Sequence, residues 1–170
     1  MIQSIKYRGK INKMDEEWLN YCRKKGWTKD SEMKNHDSPY WKYHFSDAQY
    51  NQLKDVMLQV AGEAVCLHFE EDLMNLLERG QFFRGNNSIS ERMEPNRCHS
   101  NASILWSKYR NVSIATGYAL SKDGMWRQHS WGVIQSENNQ VIETTMKRAL
   151  YFGYVLNDEE SEKFYDNNVF

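Results

Sequence analysis

Residues 129–145 read HSWGVIQSENNQVIETT. In the first half, alternate residues His129, Trp131 and Val133 share one face if the segment is a strand. SENN, at 136–139, is a turn signal, and QVIETT at 140–145 is a second, returning strand. Folding about that turn sets His129 and Glu143 opposite one another, with the pairing symmetric about Ser136. Opposed cross-strand residues have Cβ atoms about 4.5–5.5 Å apart. A carboxylate at that distance can hold one imidazole nitrogen and leave the other for a nucleophile. The stretch is thus either an ordinary hairpin with a buried histidine or half of a catalytic site. A nucleophile upstream decides between them.

The segment NRCHSNASILWSKYR, 96–110, supplies a candidate. It follows Pro95 and predicts a helix over about 98–109, preceded by Asn96 or Arg97, with Ala102, Leu105, Trp106 and Tyr109 on the buried side. Cys98 falls at its start. Free amides and the helix dipole there favour a thiolate over a thiol, and a neighbouring histidine lowers the thiol pKa further. The backbone amide of Cys98 would face a developing oxyanion. Cys98, His129 and Glu143 then form a nucleophile, a base and its orienter.

The surrounding pattern fits a mixed rear half. NVSIATGYALS predicts a strand, KDG at 122–124 a hairpin turn, and MWRQHSWGVIQ the returning strand. The tail from Asn157 has capping-box spacing to Glu160 and predicts a short helix. The segment GQFFRGNNSISERMEPN reads as loop. Ahead of it lies a helical front. MDEEWLNYCRKK, 14–25, predicts a helix stopped by Gly26. Polar residues 28–41 follow as loop, where Pro39 biases Ser38 to extended backbone. SDAQ at 46–49 predicts a capping box opening a helix that runs to Arg79. Tyr50, Leu53, Met57, Val60, Ala64, Leu67, Met74 and Leu77 stripe that helix, with Gly62 as a place for a bend or break. Cys22 and Cys66 fall in helical patterns as buried apolar residues.

Composition narrows the class. The chain has 170 residues, formal net charge −1 and abundant aromatic residues. It is long enough to bury a core without disulfides. Its bulk charge gives no nucleic-acid signal, and no apolar run reaches bilayer-spanning length. Three cysteines, without a secretory leader pattern at the N-terminus, indicate a reducing, cytoplasmic setting. The Asn-x-Ser triplets at Asn86, Asn101 and Asn111 are then chance occurrences rather than glycosylation sites. The expected organisation is a helical portion over 1–90 packed on a core over 91–170, together one compact domain.

The motifs RCHSNASILW, ATGYAL, HSWGV and VIETT together resemble the core of the transglutaminase-like cysteine enzymes, over about residues 90–150. Gly117 and Tyr118 match that family's Gly-Tyr strand, His129 and Trp131 its His-x-Trp strand, and Glu143 with Thr145 its acidic motif. The resemblance implies an α+β, papain-like core and a Cys-His-acid triad. The chain departs from the pattern at three positions: Glu143 for the usual Asp, Thr144 for the usual Pro, and His99 directly after the nucleophile.

Around this triad, Asn96 or Asn101 could supply an oxyanion donor, each equally readable as a cap or solvated residue. Arg127 shares the face of His129 and either binds an acidic substrate group or pairs on the surface. Trp131 packs beside the imidazole and shields it from water. His99 splays about 100° from Cys98 and reads as structural or substrate-facing. A zinc site of Cys98, His99 and His129 would need a further ligand, and the spacing carries no zinc signature. The expected protein is therefore a cofactor-free and metal-free thiol hydrolase or acyltransferase. It acts on a protein or peptide substrate, with protease or amidase chemistry favoured over cross-linking. The alternative is a non-catalytic interaction module that keeps the fold.

Overall fold

The computed structural model describes residues 7–34, 45–68 and 70–169. The expectation for Ser38 and Pro39 lies outside them. The chain is mixed α and β and clusters into two compact units. One holds residues 1–79 with 120–127, the other 80–119 with 128–170. The second unit thus begins at Gly80, and the tip of one hairpin is counted with the first unit.

In the first unit, α1 (Glu16–Lys24) is capped by Asp15, whose carboxylate accepts from the Trp18 amide. It is followed by Gly26 at φ 75°, a left-handed conformation that suits glycine. Helix α2 (Asp47–Leu58) opens with the expected Ser46–Gln49 capping box. It does not run to Arg79. The chain breaks after Leu58, forms β1 (Ala64–Val65) and restarts as α3 (Leu73–Arg79). Gly62 explains the break. Its φ is 89°, and a Cβ there would lie 2.8 Å from the Trp126 indole nitrogen and 3.0 Å from the Gly124 carbonyl.

Strand β1 pairs in parallel with Met125 and Trp126. The restart shifts the helical phase, so Leu73 and Leu76 are buried on α3, while Met74 is exposed. Cys66 consequently lies just beyond a strand, not in a helix, with its Sγ 3.0 Å from His68 Nε2. Cys22 is buried in α1, as expected.

The second unit is built on a sheet. Its elements are β2 (Gln81–Arg84), β3 (Ile89–Ser90), α4 (Cys98–Lys108), β4 (Ser113–Leu120), β5 (Met125–Ile134), β6 (Gln140–Glu143), β7 (Leu150–Val155) and α5 (Asp158–Asn168). The strand order is β2-β7-β4-β5-β6-β3. The pairs β2–β7, β7–β4 and β5–β6 are antiparallel, and β3 joins β6 in parallel. Two strands therefore occupy the segment 80–96 that reads as loop, and β7 is an element the sequence pattern left unassigned. Helix α5 carries the expected Asn157–Glu160 capping box.

The two sheet faces bury different sets. Phe83, Ala115, Trp131, Val133, Val141 and Tyr151 cluster on one. Leu105 of α4 packs with Val112, Ile134 and Ile142 in the other cluster. Gly117 and Gly153 are register partners on β4 and β7. A Cβ on Gly153 would meet the Thr116 carbonyl oxygen at 2.2 Å and Trp131 Cη2 at 2.7 Å. Gly153 thus leaves the space that the Trp131 ring fills.

Candidate active site

All three residues of the expected triad lie in the second unit. Cys98 is the first residue of α4, His129 lies within β5, and Glu143 ends β6. The hairpin register differs from the expected one. Val133 pairs with Val141, so the hairpin is centred on Glu137 rather than Ser136. A 3-10 turn at Gln135–Glu137, followed by Asn138 and Asn139 at φ 55° and 57°, sets that centre. Continuing the register places Glu143 across from Trp131, diagonal to His129. Diagonal cross-strand neighbours lie about 7–8 Å apart, within reach of long side chains. The longer Glu spans that gap: His129 Nε2 is 2.9 Å from Glu143 Oε2 and 3.2 Å from Oε1.

Glu143 is held from every side. Tyr151 Oη donates to Oε2 at 2.8 Å. The Thr145 amide and hydroxyl donate to Oε1 at 2.8 and 3.0 Å. Burial alone would raise its pKa, but His129, Thr145 and Tyr151 outweigh it and hold the carboxyl at about 2. Burial, then the Glu143 charge, pushes the Tyr151 phenol above its ordinary range, so it remains a donor.

The His129 imidazole and the Cys98 thiol lie close enough that each shifts the pKa of the other. Because Nε2 serves Glu143, Nδ1 is the nitrogen left for sulfur. Burial disfavours the imidazolium, yet Cys98 and Glu143 together lift its pKa to about 9. Cys98 moves the other way. Burial pushes the thiol up, and the His129 hydrogen bond and charge, with the Ser130 and His99 amides, bring it below its ordinary value. β6 pairs with β5 over Gly132–Ile134, so Ser130 lies beyond that pairing. The other two cysteines are opposite in character: burial raises Cys22 to about 11 and also raises Cys66.

The start of α4 differs from those of α1, α2 and α5. Arg97 at the N-cap makes no side-chain hydrogen bond, and its ψ is 42°, against 155–178° at Asp15, Ser46 and Asn157. The His99 amide serves the Cys98 sulfur, and no N-cap side chain takes the remaining first-turn amides. They stay available to negative charge.

The accessory residues divide. Trp131 is buried, with its ring stacked on the imidazole at a centroid distance of 6.2 Å and 19° between planes. Its Nε1 has no partner among the described residues. Asn101 is buried, and its Nδ2 donates to the Glu94 carbonyl at 2.8 Å, tying down the chain ahead of α4. Asn96 is exposed at φ 59° and turns the chain into the helix. Of the two readings of Arg127, pairing holds, through 2.7 and 2.9 Å bonds to Asp123. His99 Nδ1 lies 2.7 Å from Ser130 Oγ, which bonds Thr116 Oγ1 at 2.9 Å. Among the described residues no group of three or more His, Cys, Asp or Glu is arranged to hold a metal, and no helix is long and apolar enough to cross a membrane.

Sequence reasoning missed Tyr151. The aromatic, β-rich run ALYFGYVL at 149–156 carried the signal for a strand beside this site. Comparison with protein-family models, curated proteins and solved structures found no match.

Proposed function

We propose that the chain is a cysteine-dependent acyl-transfer enzyme acting on a peptide or carboxamide bond. One observation carries this reading: a buried imidazole bonded to a carboxylate that is itself held by three further hydrogen bonds, and coupled on its other side to the half-buried Cys98 thiol. A histidine buried only for packing needs one partner. This one has a nucleophile on one nitrogen and an orienter on the other, the arrangement that activates a thiol. The order of nucleophile helix, Gly-Tyr strand, His-x-Trp strand and Glu-Thr strand supports a papain-like, transglutaminase-like core.

The steps follow from the geometry. The Cys98 thiolate attacks the carbonyl carbon, and charge moves to the carbonyl oxygen beside the uncapped amides of α4. The carbon–nitrogen bond breaks, and the His129 imidazolium gives its proton to the departing amine or ammonia. Water then attacks the thioester, with His129 taking its proton, and Cys98 is released. An amine in place of water gives transfer. Glu143 fixes the tautomer, with Nε2–H toward itself and Nδ1 toward sulfur. Protease or amidase action on a protein or peptide is the favoured outcome.

A non-catalytic module that retained only the fold would need no coupling between sulfur and imidazole. The test is iodoacetamide labelling at neutral pH, mapped by mass spectrometry. Cys98 labels well ahead of Cys22 and Cys66, and a broad cysteine-hydrolase probe reacts with the wild type but not with Cys98→Ala or His129→Ala. Equal labelling of the three thiols would sink the proposal.

A further inference from the structure

We infer that His99 is a positioning residue, bracing the nucleophile helix against the strand that carries the base. The inference rests on the proposed cysteine chemistry and extends it to a residue outside the triad. Cys98 stands on α4 and His129 on β5, so their separation depends on how firmly helix and strand are docked. The side chains of 129 and 130 point to opposite faces of the strand, and those of 98 and 99 diverge by about 100° around the helix.

Two adjacent pairs result. Cys98 meets His129, and one residue further along both elements His99 meets Ser130 through a 2.7 Å bond. Ser130 Oγ is anchored in turn on Thr116 of β4 at 2.9 Å. Phe164 of α5 packs edge-on against the His99 ring, with centroids 5.8 Å apart. Ser130 is fully buried, so no water can take over the lost contact without opening the site. The same Ser130 contributes the amide that bonds the Cys98 sulfur. The brace therefore holds both the imidazole and an amide on the nucleophile. Burial, and then the charge of His129, lowers the His99 pKa. That keeps the ring neutral, so the brace adds no second cation beside the imidazolium.

The test compares Cys98 alkylation rates across pH in the full chain for the wild type, His99→Leu, His99→Asn and Ser130→Ala, with circular dichroism confirming that each is folded. Asparagine places an amide donor near the position of Nδ1, and leucine places none. The expected result is at least a tenfold loss of neutral-pH alkylation in His99→Leu and Ser130→Ala, with the profile displaced to higher pH. His99→Asn should stay within about threefold of the wild type. If His99→Leu fails to fold, Ser130→Ala decides, since it deletes one oxygen and leaves the strand amide. Wild-type profiles in folded His99→Leu and Ser130→Ala would overturn the brace alone. An ordinary thiol profile in the wild type itself would overturn both the cysteine chemistry and the brace built on it.

Discussion

Glu143→Gln isolates the contribution of the carboxylate without changing side-chain length. The four donors around Glu143 leave an amide no comfortable orientation. With its NH2 on the Oε1 side it opposes the Thr145 amide, which can only donate; on the Oε2 side it opposes His129 Nε2–H. The second conflict is relieved only if the imidazole changes tautomer, placing N–H toward Cys98 and removing the acceptor the thiol needs. Hydrogen bonds to charged groups contribute about 1.5–3 kcal/mol, and about 1.4 kcal/mol is a factor of ten. Because this pair is buried, little of that is screened. Neutral-pH alkylation of Cys98 should fall by about 10- to 100-fold, and turnover of any acyl substrate by at least as much. Stopped-flow alkylation with a chromogenic thiol reagent measures the first effect, and peptide mapping assigns it to Cys98. A variant that alkylates at the wild-type rate would refute the role of Glu143 as orienter.

Other outcomes follow from the same geometry. Glu143→Asp shortens the side chain by ~1.5 Å, too much for a diagonal contact, so its alkylation rate should fall between those of the wild type and Glu143→Gln. The site also couples stability to pH. Glu143, at about 2 against 4.5, contributes stability that is full above pH 4.5 and lost as pH falls toward 2. His129, at about 9 against 6.5, contributes stability that is full below pH 6.5 and lost as pH rises through 9. Thermal unfolding of the wild type should therefore weaken at both extremes, and Glu143→Gln should flatten the acid side. Gly153→Ala drives a methyl into the Thr116 carbonyl and the Trp131 ring. Overpacking of this kind costs about 1–3 kcal/mol, read as a lower denaturant midpoint and a changed Trp fluorescence.

What could be read in the sequence was local. Ser46–Gln49 and Asn157–Glu160 specify their caps within four residues, and both form. The Asp-Gly turn and the alternation of 125–134 made one hairpin legible, and Cys98 was placed at its helix start. The rest depended on distant partners. Gln81–Arg84 is a strand because β7, some seventy residues later, pairs with it. The Ile89–Ser90 strand is too short to show a period. An apolar stripe continued across Gly62, although Trp126 and Gly124 leave room there only for glycine. The register was displaced because two left-handed asparagines, one residue type with several turn options, set the hairpin's centre. That same displacement made Glu, rather than a shorter acid, the residue able to reach the imidazole.

The bare start of α4 has a consequence for engineering. A good cap on a helix contributes about 1 kcal/mol, and Arg97 declines it. A stabilising design would put Ser or Asp at 97 and pull ψ from 42° toward the extended values of the other helix starts. The new oxygen would seek the amides of residues 99 or 100, and the amide of 99 is one the Cys98 sulfur now holds. A gain in melting temperature at this position would be bought with a less reactive thiol. Position 97 is therefore one that a stability screen would improve and an activity screen would reject.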